Sequence, residues 1–193
     1  MTEGKGTSVT NTYFTADTHF GHENILHWSS RPFESVEAMD ETLVANWNET
    51  VGPRDRVFVL GDFGLTANAK QLQRLLGIRR RLRGQIILVR GNHDRSKSVR
   101  ELRFADVHRL LDVKVDGQRV VMCHYAMRTW PGSHQGAWHL YGHSHGLLQG
   151  LFLSFDVGVD CWDYAPVSWE RIKLEMKDRV APPSKSPVIL DTL

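Results

Sequence analysis

The sequence predicts an α/β domain whose strands form two sheets. Short apolar runs of strand length recur along the chain, and most of them end at a glycine-marked turn. In the first half these runs alternate with amphipathic helical patterns, whereas the second half is mostly strand-like. The order β, α, β, α, β followed mainly by strands favours a two-sheet α/β fold.

Length and composition agree with an ordinary globular domain. The 193 residues fit a single domain, which we expect to span residues 1–193, with a loose leader at 1–10 and an extended tail at 181–193. The composition is 41% hydrophobic and 24% charged, and the net charge of +2 gives no argument for a nucleic-acid or membrane partner. We expect a cytoplasmic protein, because neither a signal-peptide core nor a membrane-spanning run is present.

Helical periodicity is clearest over residues 35–51. Apolar residues recur there at Val36, Met39, Leu43, Val44 and Trp47, and the preceding serine is a candidate N-cap. A second helical pattern covers residues 66–82, with its apolar stripe at Ala69, Leu72, Leu75, Leu76 and Ile78 and an arginine-rich end. Shorter helices are predicted at 23–28, 97–104 and 168–176.

The predicted strands account for most of the remaining chain. They cover residues 11–16, 56–60, 85–89, 107–115, 118–123, 137–141 and 151–159. The fourth and fifth are joined by an Asp-Gly hairpin turn. The irregular segment 125–139 between predicted strands is long for a compact domain, so we expect a rim or lid over a cleft.

Metal-ligand side chains follow these strands at the points where the strands end. The candidate ligands are Asp17, His19, Asp62, Asn92, His124, His143 and His145. Because sites in α/β sheets form outside the carboxyl ends of strands, we expect these side chains to meet. Residues two apart on an extended segment share one face, which places each Asp-x-His or His-x-His pair on one side.

The mixture of ligand types suits two divalent cations. Two ions about 3.5–4 Å apart repel each other, so a carboxylate must bridge them, and Asp62 is the candidate bridge. Three oxygen ligands and four imidazoles are too nitrogen-rich for calcium or plain magnesium and lack the thiolates of a structural zinc site. Manganese, iron, zinc, nickel and cobalt therefore remain candidates.

Each motif also has a simpler interpretation. Asp17 could be an N-cap with a surface histidine beside it, and Gly91-Asn92 alone would be an ordinary turn signal. The two cysteines, Cys123 and Cys161, are interpreted as reduced, buried thiols rather than a disulfide or ligands. His143-x-His145 between two glycines is the most specific single motif.

Taken together, the ordered motifs resemble those of the calcineurin-like metallophosphoesterases. The blocks are Asp17-Thr18-His19, Gly61-Asp62, the segment from Gly91 to Asp94, His124, and the segment from Gly142 to His145. They span about two thirds of the chain. The resemblance implies a two-sheet β-sandwich flanked by helices with a dinuclear site at the strand ends. One ion would be held by Asp17, His19, Asp62 and His145, and the other by Asp62, Asn92, His124 and His143.

The resemblance also implies a mechanism of metal-assisted phosphoester hydrolysis. A water or hydroxide bridging the ions, its pKa lowered toward ~7, would attack phosphorus in line with the leaving oxygen. His93 would assist that oxygen, and Asp94 would orient the His93 ring. Arg90 is a candidate contact to phosphoryl oxygens, with pairing to a carboxylate of the fold as the alternative. His22 is a candidate substrate contact, and the alternatives are a position behind the ligands or an exposed histidine.

Several alternatives remain open on the sequence alone. The substrate is expected to be a small phosphate ester, with a nucleotide among the candidates, and monoester and diester are not distinguished. A phosphoprotein substrate is disfavoured because protein phosphatases carry an Asp-Arg-Gly after the second block, whereas this chain has Gly61-Asp62-Phe63-Gly64-Leu65 there. The compact length resembles small bacterial and phage phosphoesterases. A nuclease is an alternative, hinted at by Arg79, Arg80, Arg81 and Arg83, although such clusters are usually solvated helix ends. A catalytically silent binding protein is the third hypothesis, and the oligomeric state is left open.

Overall fold

The computed structural model of the protein describes residues 10–183 and contains two β-sheets. The first sheet is built from β1 (Thr12–Thr15), β2 (Arg56–Val59), β3 (Gln85–Val89), β4 (Asp106–His108) and β9 (Val167–Ser168). Its order is β4-β3-β2-β1-β9, with β1 to β4 parallel and β9 antiparallel to β1. Most of the predicted leader and tail, residues 1–9 and 184–193, lies outside the described residues.

The second sheet lies later in the chain. It is formed by β5 (Leu110–Val115), β6 (Gln118–Cys123), β7 (Trp138–Tyr141) and β8 (Ser154–Asp156), in that order. β5 and β6 form the predicted antiparallel hairpin, whereas β6, β7 and β8 are parallel. The helices are α1 (Ile25–Trp28), α2 (Val36–Thr50), α3 (Ala69–Arg81), α4 (Ser96–Leu102) and α5 (Trp169–Met176).

Alternation along the strands of the first sheet creates two apolar layers. On one face, Phe14 and Phe58 pack in a buried cluster with Met122 and Leu140 of the second sheet. On the other face, strand residues such as Val57 pack with buried residues of the helices. Since successive strand side chains point to opposite faces, one sheet can serve both layers. The predicted two-sheet sandwich flanked by helices is confirmed.

The two long helices begin at side-chain caps. The Ser35 hydroxyl accepts a hydrogen bond from the Ala38 amide at 3.1 Å, as predicted, and the predicted apolar stripe of α2 is buried. α3 begins three residues later than predicted, after the Asn68 side chain accepts from the Gln71 amide. Of its predicted stripe only Leu75 and Ile78 are fully buried.

The single strand predicted over residues 107–115 is wrong. The chain breaks at Arg109, so that β4 pairs with β3 in the first sheet and β5 pairs with β6 in the second. The hydropathy pattern does not change at this crossing, so it gives no signal there. The strand predicted at 151–159 is shortened to β8, followed by a 3-10 turn at Val159–Cys161. The two-residue strand β9 was not predicted.

Both cysteines are free thiols, as expected, but neither is buried as predicted: Cys123 is partly exposed and Cys161 is exposed. In the part of the chain that the structure describes, no helix is both long enough and apolar enough to cross a membrane.

Candidate metal centre

The strand ends of both sheets meet at one edge of the sandwich. Asp17, Asp62 and Asn92 follow β1, β2 and β3 of the first sheet, and His124 directly follows β6 of the second. Backbone hydrogen bonds join these ends, for example from the Asp17 amide to the Gly61 carbonyl and from the Gly142 amide to the His124 carbonyl, both 3.0 Å. The loops that carry the predicted ligands are thus held together by main-chain contacts.

Most of the predicted ligands lie on strained backbone. Positive φ angles occur at Asp17 (55°), His19 (49°), Asp62 (52°), His143 (68°) and His145 (47°). Side-chain-bearing residues rarely adopt this left-handed region, and such strain concentrates at functional sites. The abrupt turn at each of these positions aims the side chain across the strand ends.

A hydrogen bond from a backbone amide fixes each of the two carboxylates. Oδ2 of Asp17 accepts a hydrogen bond from the His143 amide at 2.7 Å, and Oδ1 of Asp62 accepts from the His93 amide at 2.8 Å. In each case the donor belongs to a different loop. The second oxygen of each carboxylate therefore remains available to face the centre of the cluster.

The ligand atoms fall into two groups. Asp17, His19 and His145 form one, and Asp62, His124 and His143 form the other, with the ligand atoms of each within 4.8 Å of one another. Oδ2 of Asp62 lies 3.6 Å from Nε2 of His19 and 3.4 Å from Nε2 of His124. Ligand atoms that bind one ion at about 2.0–2.2 Å are separated by roughly 3–3.6 Å, so this oxygen is placed to serve both groups.

The ring of His124 is oriented by the backbone. Its Nδ1 lies 2.7 Å from the Leu60 carbonyl oxygen, which can only accept a hydrogen bond, so Nδ1 carries the proton. Nε2 then points toward Oδ1 of Asn92 at 3.1 Å and toward Asp62. This ring nitrogen and the oxygens of Asn92 and Asp62 face one another, an arrangement that suits one cation bound by all three.

Unpartnered polar atoms supply an independent test of whether a metal fits. Among the described residues, Oδ1 of Asp17 and Nε2 of His19 are buried without any hydrogen-bond partner. Buried polar groups are nearly always paired, because an unpaired one costs free energy. Both atoms belong to the first group of ligands, so divalent cations fit the residues present there.

Burial and the close approach of charged groups shift the pKa values of the candidate ligands in the metal-free protein. Burial raises the pKa of Asp17 to about 7, despite the opposing charges of His124 and His145. Burial would lower the pKa of His124, but its interactions with Asp62 and Asp17 raise the value to about 9. Burial would raise the pKa of Asp62, yet the hydrogen bond and charge of His124 hold it at about 2. A cation bound at this cluster would therefore have to displace protons.

Asp160 and Arg31 support His145 and were missed by the sequence analysis. Nδ1 of His145 lies 2.7 Å from Oδ2 of Asp160, which leaves Nε2 to face Asp17 and His19. The Asp160 carboxylate also accepts two hydrogen bonds of 2.8 Å from the buried Arg31 guanidinium. Arg31 in turn donates to the Asp17 carbonyl at 2.6 Å. No pattern in the sequence links residues 129 positions apart.

Asp156 is a third supporting residue that was not predicted from the sequence. One of its oxygens accepts hydrogen bonds from the Ser144 hydroxyl at 2.6 Å and the Gly146 amide at 3.2 Å, which fixes the turn between His143 and His145. Its other oxygen accepts from the Gly158 amide at 2.7 Å. A charged residue inside the apolar run 151–159 was the available signal.

The role predicted for Asp94 requires correction. Its carboxylate accepts hydrogen bonds from the amides of Asp62 at 2.9 Å, Phe63 at 3.1 Å and Gly91 at 2.8 Å, instead of contacting the His93 ring. Three amides converge on this buried group because the loops after β2 and β3 both turn around it. Asp94 therefore positions those two loops.

Arg90 and His22 also differ from the predicted substrate contacts. The Arg90 guanidinium donates to the Asp94 backbone carbonyl at 2.6 Å and the Ser96 hydroxyl at 3.2 Å, so it binds within the fold but not to a carboxylate as the alternative expected. His22 is buried, and its Nδ1 lies 3.0 Å from Nδ1 of His19. If His19 uses Nε2 as a ligand, its Nδ1–H donates to His22, which then orients the ring from behind.

The cluster opens into a cavity of about 480 Å³. His93 lines this cavity, with its side chain 34% exposed and its Nε2 4.0 Å from Oδ2 of Asp62. The exposed side chains of Trp28 and Leu147 form part of the wall. A polar, ligand-rich floor thus lies beneath a partly apolar mouth.

Comparisons with known proteins agree with this arrangement. Residues 13–149 match the family model of the calcineurin-like phosphoesterase superfamily domain. An uncharacterised protein of Methanocaldococcus jannaschii is 35% identical over 182 residues, which cover 90% of this chain and 96% of that protein. The gene 66 protein of Mycobacterium phage L5 is 36% identical over 86 residues, which cover 45% of this chain and 41% of the phage protein.

A solved structure supports the fold. A protein of unknown function from Aquifex aeolicus superposes with a TM-score of 0.68 at 24% identity, covering 86% of this chain and 100% of that one. The family match spans more than half of the chain and includes every predicted ligand between Asp17 and His145. The resemblance found in the sequence is thereby confirmed, and the chain belongs to the calcineurin-like phosphoesterase superfamily.

Proposed function

We propose that this protein is a dinuclear metal-dependent phosphoesterase, with phosphodiesters favoured over phosphoproteins as substrates. The observation that carries the proposal is the pair of ligand groups that share Oδ2 of Asp62. A single structural ion would need four ligands and would leave the remainder of the cluster without a role. A catalytically silent binding protein would have no need of His93 beside that cluster.

Seven residues would hold the two cations. One ion would be bound by Asp17, His19, Asp62 and His145, and the other by Asp62, Asn92, His124 and His143. When bound, such cations lower the pKa of water and polarise phosphoryl oxygens. Manganese, iron, zinc, nickel and cobalt all suit this mixture of imidazole, carboxylate and amide ligands.

His93 is proposed as the group that assists the leaving oxygen. Its amide is fixed by Asp62, while its ring faces the cavity with a partly exposed edge. As a water oxygen forms its bond to phosphorus, the bond to the leaving oxygen breaks. The His93 ring would then give its proton to that oxygen. Asp94 contributes by holding the loop on which His93 lies.

The cavity wall favours an ester with an apolar or aromatic organic group. Trp28 is 68% exposed at the mouth, and Leu147 is 88% exposed beside it. Exposed apolar side chains at a cavity mouth commonly mark contacts with a ligand. A nucleotide or an aryl phosphodiester would place its ring against Trp28 and its phosphate against the cluster.

The proposal is tested by hydrolysis of bis-p-nitrophenyl phosphate and p-nitrophenyl phosphate with Mn²⁺, Ni²⁺, Zn²⁺ or no added metal. We expect metal-dependent turnover that falls about 10²–10⁴-fold in His93→Ala, because a general acid contributes that range. The diester should be preferred. Elemental analysis should find two ions per chain in both proteins.

His134→Ala is the matched control, because His134 is an exposed histidine that does not line the cavity. It should keep full turnover. A protein that binds no divalent ions, or whose activity survives without them, would refute the dinuclear proposal. Equal activity in His93→Ala and His134→Ala would remove His93 from the mechanism.

A further inference from the structure

The two sides of α3 differ in how their arginines are neutralised. Toward α2, Arg74 pairs with Glu37 at 2.6 Å and Asp40 at 2.7 Å, and Arg81 pairs with Glu41 at 2.5 Å. Toward α4, Arg79 and Arg80 have no carboxylate within 4.0 Å in residues 10–183. The basic run singled out in the sequence is therefore neutralised on one side only.

The unpaired side opens into a cavity of about 670 Å³ between α3 and α4. Four arginines line it: Arg79 and Arg80 from α3, Arg100 from α4, and Arg103, which caps the end of α4. Glu101 is the one acidic residue of the lining, so positive charge predominates. We call this feature the arginine cavity.

Arg79 shows that the positive charge is partly desolvated. Its Nε atom is buried and has no hydrogen-bond partner, and its guanidinium carbon lies 5.9 Å from the centre of the Phe104 ring. Burial lowers the pKa of Arg79, which means that the surroundings disfavour its charge. A buried cation without an anionic partner costs free energy, and an anion bound in the cavity would offset that cost.

The arginine cavity is connected to the loop that carries His93. A neighbouring cavity of about 350 Å³ shares Arg100 and Arg103 and adds Arg90, whose guanidinium donates to the Asp94 carbonyl. α4 begins three residues after His93, and its seven residues span only about 10 Å at 1.5 Å per residue. Arginine side chains thus extend from Arg90, beside the loop that carries His93, to Arg100 and Arg103 along α4.

We propose that the arginine cavity binds backbone phosphates of a single nucleic-acid strand whose scissile phosphodiester lies at the metal centre. Guanidinium groups match phosphate oxygens with paired donors, and a row of them suits a ligand with repeated phosphates. A flexible single strand could follow the arginines that line the two cavities, from Arg80 through Arg100 to Arg90. This inference rests on the proposed function and names its substrate class.

The test compares binding of a fluorescein-labelled 20-nucleotide DNA strand to metal-loaded full-length variants by anisotropy. All carry His93→Ala, so that cleavage is suppressed. Adding Arg80→Ala and Arg100→Ala should weaken binding about tenfold and reduce the salt slope by roughly 1.4, since each lost single-strand contact contributes about 0.7. Both arginines are exposed on helices, where alanine is well tolerated.

The matched control is Arg54→Ala with Arg56→Ala in the same background. These two arginines are also exposed and are absent from the ion pairs of the described chain, but they line neither the arginine cavity nor the neighbouring cavity. Affinity and salt slope should stay within twofold of the parent. Equal losses in both double variants, or no loss in Arg80→Ala/Arg100→Ala, would overturn the proposal.

Two further measurements separate this inference from the proposed function. With His93 intact, Arg80→Ala/Arg100→Ala should hydrolyse bis-p-nitrophenyl phosphate with unchanged kcat and KM, because that diester is too short to reach the arginine cavity. Inorganic triphosphate is the competing probe. If it binds through Arg80 and Arg100 while the strand does not bind, the cavity serves a small anion and the assignment to nucleic acid is wrong.

Discussion

The carboxylate ligands of the candidate centre are each fixed by a backbone hydrogen bond from a different loop. Asp17 is held by an amide of the loop after β7, and Asp62 is held by an amide of the loop after β3. Each carboxylate is therefore oriented by a segment distant in sequence. Because a buried carboxylate oxygen without a partner costs free energy, as at Oδ1 of Asp17, binding of a proton or a cation to the cluster should stabilise this arrangement.

The Asp160 carboxylate allows this orientation to be tested at one residue. Asp160→Asn should weaken binding of one of the two ions about 10- to 100-fold, because an amide holds the His145 ring less firmly and leaves the Arg31 charge without its partner. Competition with a chelator during Mn²⁺ titration measures both affinities. The second ion, bound through His124 and His143, should be affected less.

Asp163→Asn provides the comparison. It makes the same chemical change three residues away, at an exposed aspartate. Its two affinities should match those of the wild type. If Asp160→Asn binds both ions as tightly as Asp163→Asn does, the carboxylate does not support a metal ligand. Thermal unfolding without metal would separately report the loss of the Arg31 pair.

At the scale of elements, the close approach of the two sheets sets the spacing between the ends of β1 and β7. Gly142 follows β7, and a Cβ added there would lie 2.5 Å from Cβ of Ala16 and 2.6 Å from Oδ2 of Asp17. These distances are far below van der Waals contact. A side chain at this position would push apart the ends of β1 and β7, on which the ligands lie.

Gly142→Ala should therefore destabilise the protein by about 1–3 kcal/mol, the range for overpacked cores, and should also lower its metal content. Urea unfolding and elemental analysis measure the two effects. Gly77→Ala is the matched control, because a Cβ there meets nothing within 4 Å and the residue lies within α3. That change should stabilise the helix by about 0.5–1 kcal/mol. Metal binding that is normal in Gly142→Ala would argue against a coupling between strand spacing and the site.

The same element scale shows what could be predicted from the sequence. The candidate ligands were singled out because most of them lie where an apolar strand-like run ends, and the carboxyl ends of strands in an α/β sheet were expected to form a site. The crossing at Arg109 and the strand β9 could not be found, because pairing between distant segments leaves no local pattern. Asp160 and Arg31 escaped for the same reason, whereas Asp156 did leave a signal as a charge within an apolar run.

At the scale of the whole molecule, the proposed cation binding would be coupled to folding stability. The candidate ligands come from both sheets, so they approach one another only in the folded chain, and ions bound by them would stabilise the native state. Proton binding at the same cluster depends on folding too. The effect of pH on unfolding should therefore reverse when metal is present.

For the metal-free protein, the stability contributed by His124 should fall as pH rises from 6.5 to 8.5. The pKa of His124 is raised from 6.5 to about 9 on folding, so its stabilising contribution is complete below pH 6.5 and is lost as pH approaches 9. The pKa of Asp17 is raised from 3.8 to about 7, so its ionisation also disfavours the fold up to neutral pH. Asp62, with a pKa of about 2, stays ionised throughout this range and does not contribute to the change of stability with pH.

With Mn²⁺ the ligands must lose these protons, so Mn²⁺ binding strengthens as pH rises. The increase in Tm caused by Mn²⁺ relative to EDTA should consequently be larger at pH 8.5 than at pH 6.5. Differential scanning fluorimetry measures it, with His134→Ala as a control that should follow the wild type. A metal-induced shift that is constant or shrinks with rising pH would contradict competition between protons and cations at this cluster.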